Sequence, residues 1–480
     1  MRTVEREEVI PARSGRTLGR ALALAVFFAA AGAPGPAAQD APPRPYREAV
    51  DRMRGIGLLE EKAYDFLSRI TAVGPRLTGS PQADRAVEVS LRIMEELGFE
   101  NVHTEPVTVG RWVRGDVEEA SIVGQKNGGG DVPLQVCALG GSVPTPAAGL
   151  VAPVVEVRSF EELARLGASV KGKIVFYNRP MDRTLLDTFG AYGKAADQRV
   201  RGASEAARYG AVAALVRSLT LRVNDHPHTG LMQYEPGVTR IPAAAVSTAG
   251  ADRLSGLLEE DPELRLRLRM DCRTEKSVVS ANVVGEITGS EHPKEIVLVG
   301  GHLDSWDLGT GAHDDGAGCA VSLEALRLIK AAGLRPKRTV RAVLFMDEEF
   351  GGTGGRAYAR APQRRGERHL FAAESDRGGF LPVGLAAGGG SRAAFERIKT
   401  YEDLFRPLGI LFISPGGGGV DIAPLVEQGT VPAAVILNAQ TYFDVHHSAL
   451  DVLSRVHPRE LELQAVVLAA LAYLVAQEGL

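Results

Sequence analysis

Cysteine is scarce in this chain: Cys137, Cys272 and Cys319 are the only three among 480 residues. Three thiols do not make a disulfide framework, so the fold must rest on buried apolar surface. Cys319 lies in a helix-like apolar stretch and reads as a buried free thiol, while a bridge between Cys137 and Cys272 stays open. A basic block is also missing. The 55 Lys and Arg stand against 59 Asp and Glu, a net charge of −4, which argues against nucleic acid as a partner. The apolar run near the N-terminus, residues 21–33, falls short of the roughly 20 residues a membrane span needs, and no stable span is expected.

That short run instead carries the marks of an export signal. Arg13, Arg16 and Arg20 precede it, and Gly35-Pro36-Ala37-Ala38 offers small residues for cleavage. Residues 1–38 are therefore expected to be a signal peptide, with an uncleaved anchor as the alternative, and the mature protein to be periplasmic or secreted. Apolar residues make up 45% of the chain and charged ones 24%, the balance of a soluble globular protein. At 480 residues the chain exceeds what one hydrophobic core usually serves.

Three textures follow the signal. Residues 39–130 open with helical periodicity, broken by the turn-rich Gly74-Pro75-Arg76-Leu77-Thr78-Gly79-Ser80-Pro81 and closed by a strand-like stretch over 102–113. Residues 131–271 alternate short apolar strands with small helices and hold His226 and His228, which read more readily as loop histidines than as ligands. Residues 272–480 alternate in a βαβ manner, with strands predicted at 296–299, 340–345 and 433–437 and helices at 320–330 and 460–476. This predicts an α/β domain with a mainly parallel sheet flanked by helices, interrupted by an inserted block.

The chemistry concentrates in the last segment. His302 in Gly-His-Leu-Asp-Ser, Asp314 in His-Asp-Asp-Gly-Ala-Gly, Glu349 in Asp-Glu-Glu-Phe-Gly-Gly, Asp376 in Glu-Ser-Asp-Arg-Gly and His447 in Val-His-His-Ser each sit beside small residues or the end of an apolar run. Imidazole nitrogen and carboxylate oxygen suit zinc. Two ions roughly 3.5–4 Å apart need a bridging carboxylate, and Asp314, before a glycine-rich turn, is the best candidate. Standing alone, Asp-Asp-Gly reads as a plain turn or helix N-cap. Here His302 and Glu349 both follow predicted strands, which places them on one sheet edge, where sites in open α/β sheets lie. Asp304, two residues past His302, is placed to orient its imidazole. Glu348, adjacent to a ligand, is the expected proton acceptor.

At these residues the chain resembles the M28 family of zinc peptidases, in its carboxypeptidase Q branch. The likeness covers most of the chain after residue 38. It rests on Gly-Pro-Arg-Leu-Thr-Gly-Ser around Thr78, His228-Thr229-Gly230, Ile241-Pro242-Ala243-Ala244-Ala245, Gly301-His302-Leu303-Asp304-Ser305-Trp306-Asp307 and Asp314-Asp315-Gly316. The resemblance implies a zinc exopeptidase fold with a β-rich protease-associated domain inserted over 131–271. It also implies two zinc ions: one held by His302 and Asp376, the other by Glu349 and His447, with Asp314 bridging. Glu348 would be the base, Asp304 the orienting residue, and His446 a hydrogen-bond donor to the tetrahedral oxyanion. His447 is preferred over His446 as ligand because Ser448 follows it and Asp451 lies four residues on.

The implied activity is hydrolysis of small peptides, unblocked dipeptides first, by an aminopeptidase, carboxypeptidase or dipeptidase; a homodimer is implied by the same likeness. The loop Pro415-Gly416-Gly417-Gly418-Gly419-Val420-Asp421 is expected at the substrate cleft. Two other readings remain: a metal-dependent amidohydrolase acting on N-acyl amino acids, and an inactive binding protein that reuses the scaffold. A dead relative would be expected to have lost ligands or the catalytic glutamate, and none is missing here.

Overall fold

Among the described residues there are two eight-stranded sheets, and the one with the longer strands holds β1 (Glu100–Val113), β2 (Arg273–Ile287), β3 (His292–His302), β4 (Arg338–Phe345), β5 (Arg368–Glu374), β6 (Pro382–Gly388), β7 (Phe412–Gly416) and β8 (Val431–Leu437). They lie in the order β1-β2-β4-β3-β5-β8-β6-β7. These come from a computed structural model that describes residues 46–124 and 130–480, so the expected signal over 1–38 lies outside the described residues. The central four, β4-β3-β5-β8, are parallel; β1 and β2 pair antiparallel with their neighbours, and β6 runs antiparallel to β8 and parallel to β7. β3 and β4 end in near-continuous buried runs, as strands covered on both faces must.

Both faces are covered by helices. α1 (Arg47–Glu60), α2 (Lys62–Thr71) and α3 (Pro81–Glu96) precede β1; α4 (Thr188–Gly193) lies in the second block; α5 (Ala317–Ala331) follows β3; α6 (Pro458–Glu478) follows β8. Val297, Val299, Ala342 and Leu344 turn into a core with α5 and α6, while Ile296, Leu298, Val343 and Phe345 meet Tyr358, Ala359 and Leu425 on the other side. α6 is long and apolar enough to cross a membrane by composition alone, yet 83% of its apolar window is buried within the protein, which makes it a core helix. α3 starts where the turn chemistry predicts: Pro81 stands in the first turn and the Ser80 hydroxyl accepts from Ala83 N at 3.1 Å.

The second sheet takes its strands from residues 118–270. Leu150–Val157, Ile174–Tyr177, Ala213–Arg217 and Ala243–Val246 run parallel, and Arg265–Met270 joins antiparallel. This sheet reaches further back than residue 131, because Glu118–Val123 pairs along its length with Arg265–Met270. It has its own apolar clusters. The open pairing of Cys137 with Cys272 does not form: all three cysteines are buried and free. Cys272 donates to Ser142 O at 3.3 Å, and Cys319 to His302 O at 3.1 Å.

Between its strands the second block sends α4 back onto the larger domain. Phe189 stacks on Tyr442 with ring centroids 5.2 Å apart, and Tyr192 stacks on Phe443 at 4.7 Å.

Close approach at the start of α5 requires glycine. A Cβ on Gly318 would lie 1.7 Å from Ser375 O and 2.4 Å from an Asp315 carboxylate oxygen. Gly318→Ala is therefore expected to lower unfolding free energy by about 1–3 kcal/mol through overpacking, measured as a reduced urea midpoint. An unchanged midpoint would contradict this packing.

Candidate metal centre

The carboxyl ends of the four central parallel strands converge on one cluster. His302 is the last residue of β3, paired in register with Phe345 at the end of β4. Glu348 and Glu349 follow β4, Asp376 lies two residues past β5, and His446 and His447 follow β8. Asp314 comes from the turn that leads into α5. All five residues expected as ligands thus meet at a single sheet edge, with Glu348 beside them.

The Asp314 carboxylate lies between two histidines. Its Oδ1 is 3.3 Å from His302 Nε2 and its Oδ2 is 3.1 Å from His447 Nε2. Each histidine faces a further carboxylate: His302 Nε2 is 3.6 Å from Asp376 Oδ1, and His447 Nε2 is 3.2 Å from Glu349 Oε2. Within the larger cluster, three groups of donor atoms gather inside 4.8 Å: His302, Asp314 and Glu349; Asp314, His446 and His447; His302, Asp315 and Asp376. Of these, Asp315 is otherwise engaged, accepting from His302 N at 3.0 Å and Gly318 N at 2.9 Å.

Among the described residues, several buried polar atoms in the cluster lack a hydrogen-bond partner, namely His302 Nε2, Asp314 Oδ2 and Glu349 Oε1. Burying such atoms unsatisfied is costly. A divalent cation would satisfy them together, and a set of imidazole nitrogens and carboxylate oxygens fits zinc.

Both candidate histidines are oriented through backbone carbonyls. His302 Nδ1 lies 3.0 Å from Asp304 O, and His447 Nδ1 lies 3.3 Å from Thr229 O in the second block. A proton on Nδ1 leaves each Nε2 lone pair pointing into the cluster. The Asp304 side chain, expected to orient His302, also makes contacts with the loop after β4. Its nearer oxygen is 3.7 Å from His302 Nδ1, while the carboxylate accepts from the N–H groups of Asp347 at 2.9 Å, Glu348 at 3.2 Å and Glu349 at 3.3 Å. Thr78 donates to it at 2.6 Å. Asp304 therefore ties the end of β3 to the glutamate loop.

Other supports were not visible in the sequence pattern. Fully buried Arg76 donates to Leu303 O at 2.7 Å and Gly311 O at 2.9 Å, lacing the loops on either side of the cluster. Trp306 Nε1 donates to Glu349 Oε2 at 2.6 Å. Asp451 accepts from His313 N at 2.7 Å and Asp314 N at 3.1 Å, fixing the Asp314 turn. Arg76 and Thr78 sit in a segment that reads as turn chemistry, so only their shared motif with the peptidase family marked it. Asp347 and His447 adopt left-handed backbone, with φ of 78° and 58°. Non-glycine residues held there store strain that surrounding contacts must sustain.

His446 stacks on His447 with ring centroids 3.5 Å apart, under the edge of Tyr192. It reaches Asp314 at 3.6 Å, whereas His447 reaches both Asp314 and Glu349. His228 is buried nearby and falls in none of the donor groups among the described residues.

The charge balance is lopsided. Burial alone would pull His302 and His447 down, but surrounding carboxylates outweigh it and hold both imidazoles well above their ordinary 6.5. Burial would raise Asp314, yet contacts with these histidines hold it well below the usual carboxylate range. Burial, with Asp376, Glu349 and Asp421 nearby, pushes Glu348 well above its ordinary value despite His302. Burial and His447 push His446 well down, leaving it neutral.

The chain is similar to known proteins. Residues 282–472 match the model of peptidase family M28. Carboxypeptidase Q of Bos taurus is 38% identical over 421 residues, covering 88% of this chain and 86% of its own length. Carboxypeptidase Q of Homo sapiens is 37% identical, with coverages of 89% and 88%. Among solved structures, a peptidase M28 precursor from Shewanella amazonensis SB2B superposes with a TM-score of 0.86 at 36% identity, over 90% of this chain and 97% of that one. A zinc aminopeptidase from Bacillus subtilis shares the fold, at a TM-score of 0.63 and 20% identity over 87% and 95%.

The raised histidines set a pH dependence. Without metal, His302 and His447 keep protons above 6.5, so their contribution to stability is full below that value and is lost as pH climbs through their raised values. Zinc must displace those protons. Its affinity is expected to rise with pH from 6.5 upward and to fall in acid, with proton release seen as buffer-dependent calorimetric heats. Buffer-independent heats and a flat affinity would contradict the assignment.

Proposed function

This chain belongs to peptidase family M28, and on that premise we propose that the cluster holds two zinc ions and cleaves small peptides, unblocked dipeptides first. Membership makes the protein a metallopeptidase, and its relatives support a zinc-dependent exopeptidase. The observation that carries the two-ion reading is the Asp314 carboxylate, whose two oxygens face different histidines at 3.3 Å and 3.1 Å. His302 with Asp376 would hold one ion and His447 with Glu349 the other, with Asp314 shared. Zinc, when bound, supplies Lewis-acid polarisation of a carbonyl and lowers the pKa of water.

The remaining chemistry falls to side chains. Glu348 accepts the proton of the attacking water and returns it to the leaving amine. Its backbone is held by Asp304 at 3.2 Å, so the carboxylate is presented from a fixed loop. Burial and negative neighbours push this carboxyl up, and cations bound beside it would favour the ionised form that takes the proton. Neutral His446 offers an N–H to the developing oxyanion. The sheet drawn from residues 118–270 is the inserted protease-associated domain in this reading.

Purified protein is expected to hydrolyse free dipeptides, to lose activity on chelation and to regain it with zinc. Cleavage confined to N-acyl amino acids would turn the reading to an amidohydrolase, and no cleavage with zinc bound would turn it to a binding protein. Glu348→Gln should keep its zinc and lose about 100-fold or more in kcat, within the range ascribed to general acid–base catalysis. A variant retaining more than about a tenth of the rate would remove Glu348 from that role.

A further inference from the structure

Beside the metal cluster, past the ends of β5 and β8, lies a cavity of about 310 Å³ lined by Phe189, Asp376, Arg377, Leu437 and residues 417–420. That volume is at the low end for small-molecule sites, roughly 300–1,000 Å³. It suits a ligand of one or two residues rather than a long chain.

Arg377 is the cation of this cavity. It follows the candidate ligand Asp376 directly, and no ion pair neutralises it among the described residues. The guanidinium lies over the Phe189 ring, 4.6 Å from its centroid. Phe189 itself is clamped by Tyr442 and by Phe443, whose ring centroid is 4.9 Å away. An arginine stacked on a fixed ring keeps its charge and its donors while losing orientational freedom. Part of the lining is glycine. Gly417 and Gly418 adopt φ of 101° and 144°, and a Cβ on Gly419 would fall 2.2 Å from the Glu374 carboxyl carbon. The wall thus stays thin and lets a ligand approach the main chain.

We propose that Arg377 forms an α-carboxylate subsite, pairing with the free C-terminal carboxylate of a dipeptide whose scissile bond lies over the metal cluster. A planar guanidinium is matched to a carboxylate through two parallel hydrogen bonds. An unblocked C-terminus then becomes part of what the site recognises. This inference rests on the peptidase reading and names which end of the substrate is read.

The test compares dialanine with dialanine amide. Binding is measured by calorimetry on the zinc-loaded Glu348→Gln protein, and kcat/KM on the zinc-loaded protein with Glu348 intact, each with and without Arg377→Met. With Arg377 present, the free acid is expected to bind more tightly than the amide. Arg377→Met should shrink the acid-to-amide ratio by about tenfold or more, the scale of one lost charge-assisted pair. An unchanged ratio, an equal loss on both ligands, or no preference with Arg377 present would each overturn the subsite. Because binding is read without turnover, its failure is distinct from that of the peptidase reading, which would show as no zinc-dependent cleavage by the unaltered protein.

Discussion

Negative charge gathered in a buried space is the constraint on which the rest of this structure depends. Asp304, Asp314, Asp315, Glu349, Glu374, Asp421 and Asp451 are all buried around one sheet edge, with Asp376 and Glu348 beside them. Like charges in low dielectric disfavour one another's ionisation. Burial and neighbouring carboxylates accordingly hold Asp315, Asp376, Glu348 and Asp421 above their ordinary values. Asp314 is held well below because two histidines flank it, and Asp304 is lowered by its contacts with His302 and Thr78. Such a collection is stable only where each oxygen has a donor or a cation. Asp304 and Asp451 find donors in backbone N–H groups, whereas Asp314 and Glu349 each keep an oxygen without one. The unsatisfied oxygens mark where divalent charge belongs.

The fold answers this constraint through the direction of its strands. Parallel strands bring their carboxyl ends to one edge, so residues far apart in sequence converge without any strand reversing. Register is part of the device. His302 opposite Phe345 puts the imidazole three residues from Glu348, and Asp304 then bonds the intervening backbone. α5 and α6 close the face behind, and close packing there leaves little room for the cluster to rearrange.

What the sequence discloses follows from how local each signal is. His302 and Glu349 were readable because each trails a predicted strand, and Asp376 because it sits among small residues in Glu-Ser-Asp-Arg-Gly. Asp314 was readable because glycines surround it. The α/β architecture was readable from the same alternation, and the strands predicted at 296–299, 340–345 and 433–437 lie inside β3, β4 and β8. The work of the Asp304 carboxylate was not readable, since its partners stand more than forty residues away at Asp347, Glu348 and Glu349. The partners of Arg76, Trp306 and Asp451 were hidden for the same reason: a bond between distant loops leaves no spacing to detect. The early edge of the second sheet was missed because Glu118–Val123 declares itself only by pairing with Arg265–Met270.

That second sheet is often easiest to regard as an appendage, but its contacts argue otherwise. His447 carries a left-handed backbone at φ 58°, a conformation that needs outside support. Thr229 supplies it twice, donating its N–H to His447 O at 2.9 Å and presenting its carbonyl to Nδ1 at 3.3 Å. Tyr192 covers His446, and Phe189 carries the guanidinium of Arg377. Arg222 pairs with Asp444 at 2.8 Å, three residues before His447. One block therefore supplies all five candidate ligands, while the other holds one of them, His447, in its left-handed conformation. Loosening the junction would free His447 to leave the left-handed region, and its Nε2 would turn away from Asp314 and Glu349. Residues that bind no metal and touch no scissile bond are in this way built into the geometry of the metal centre.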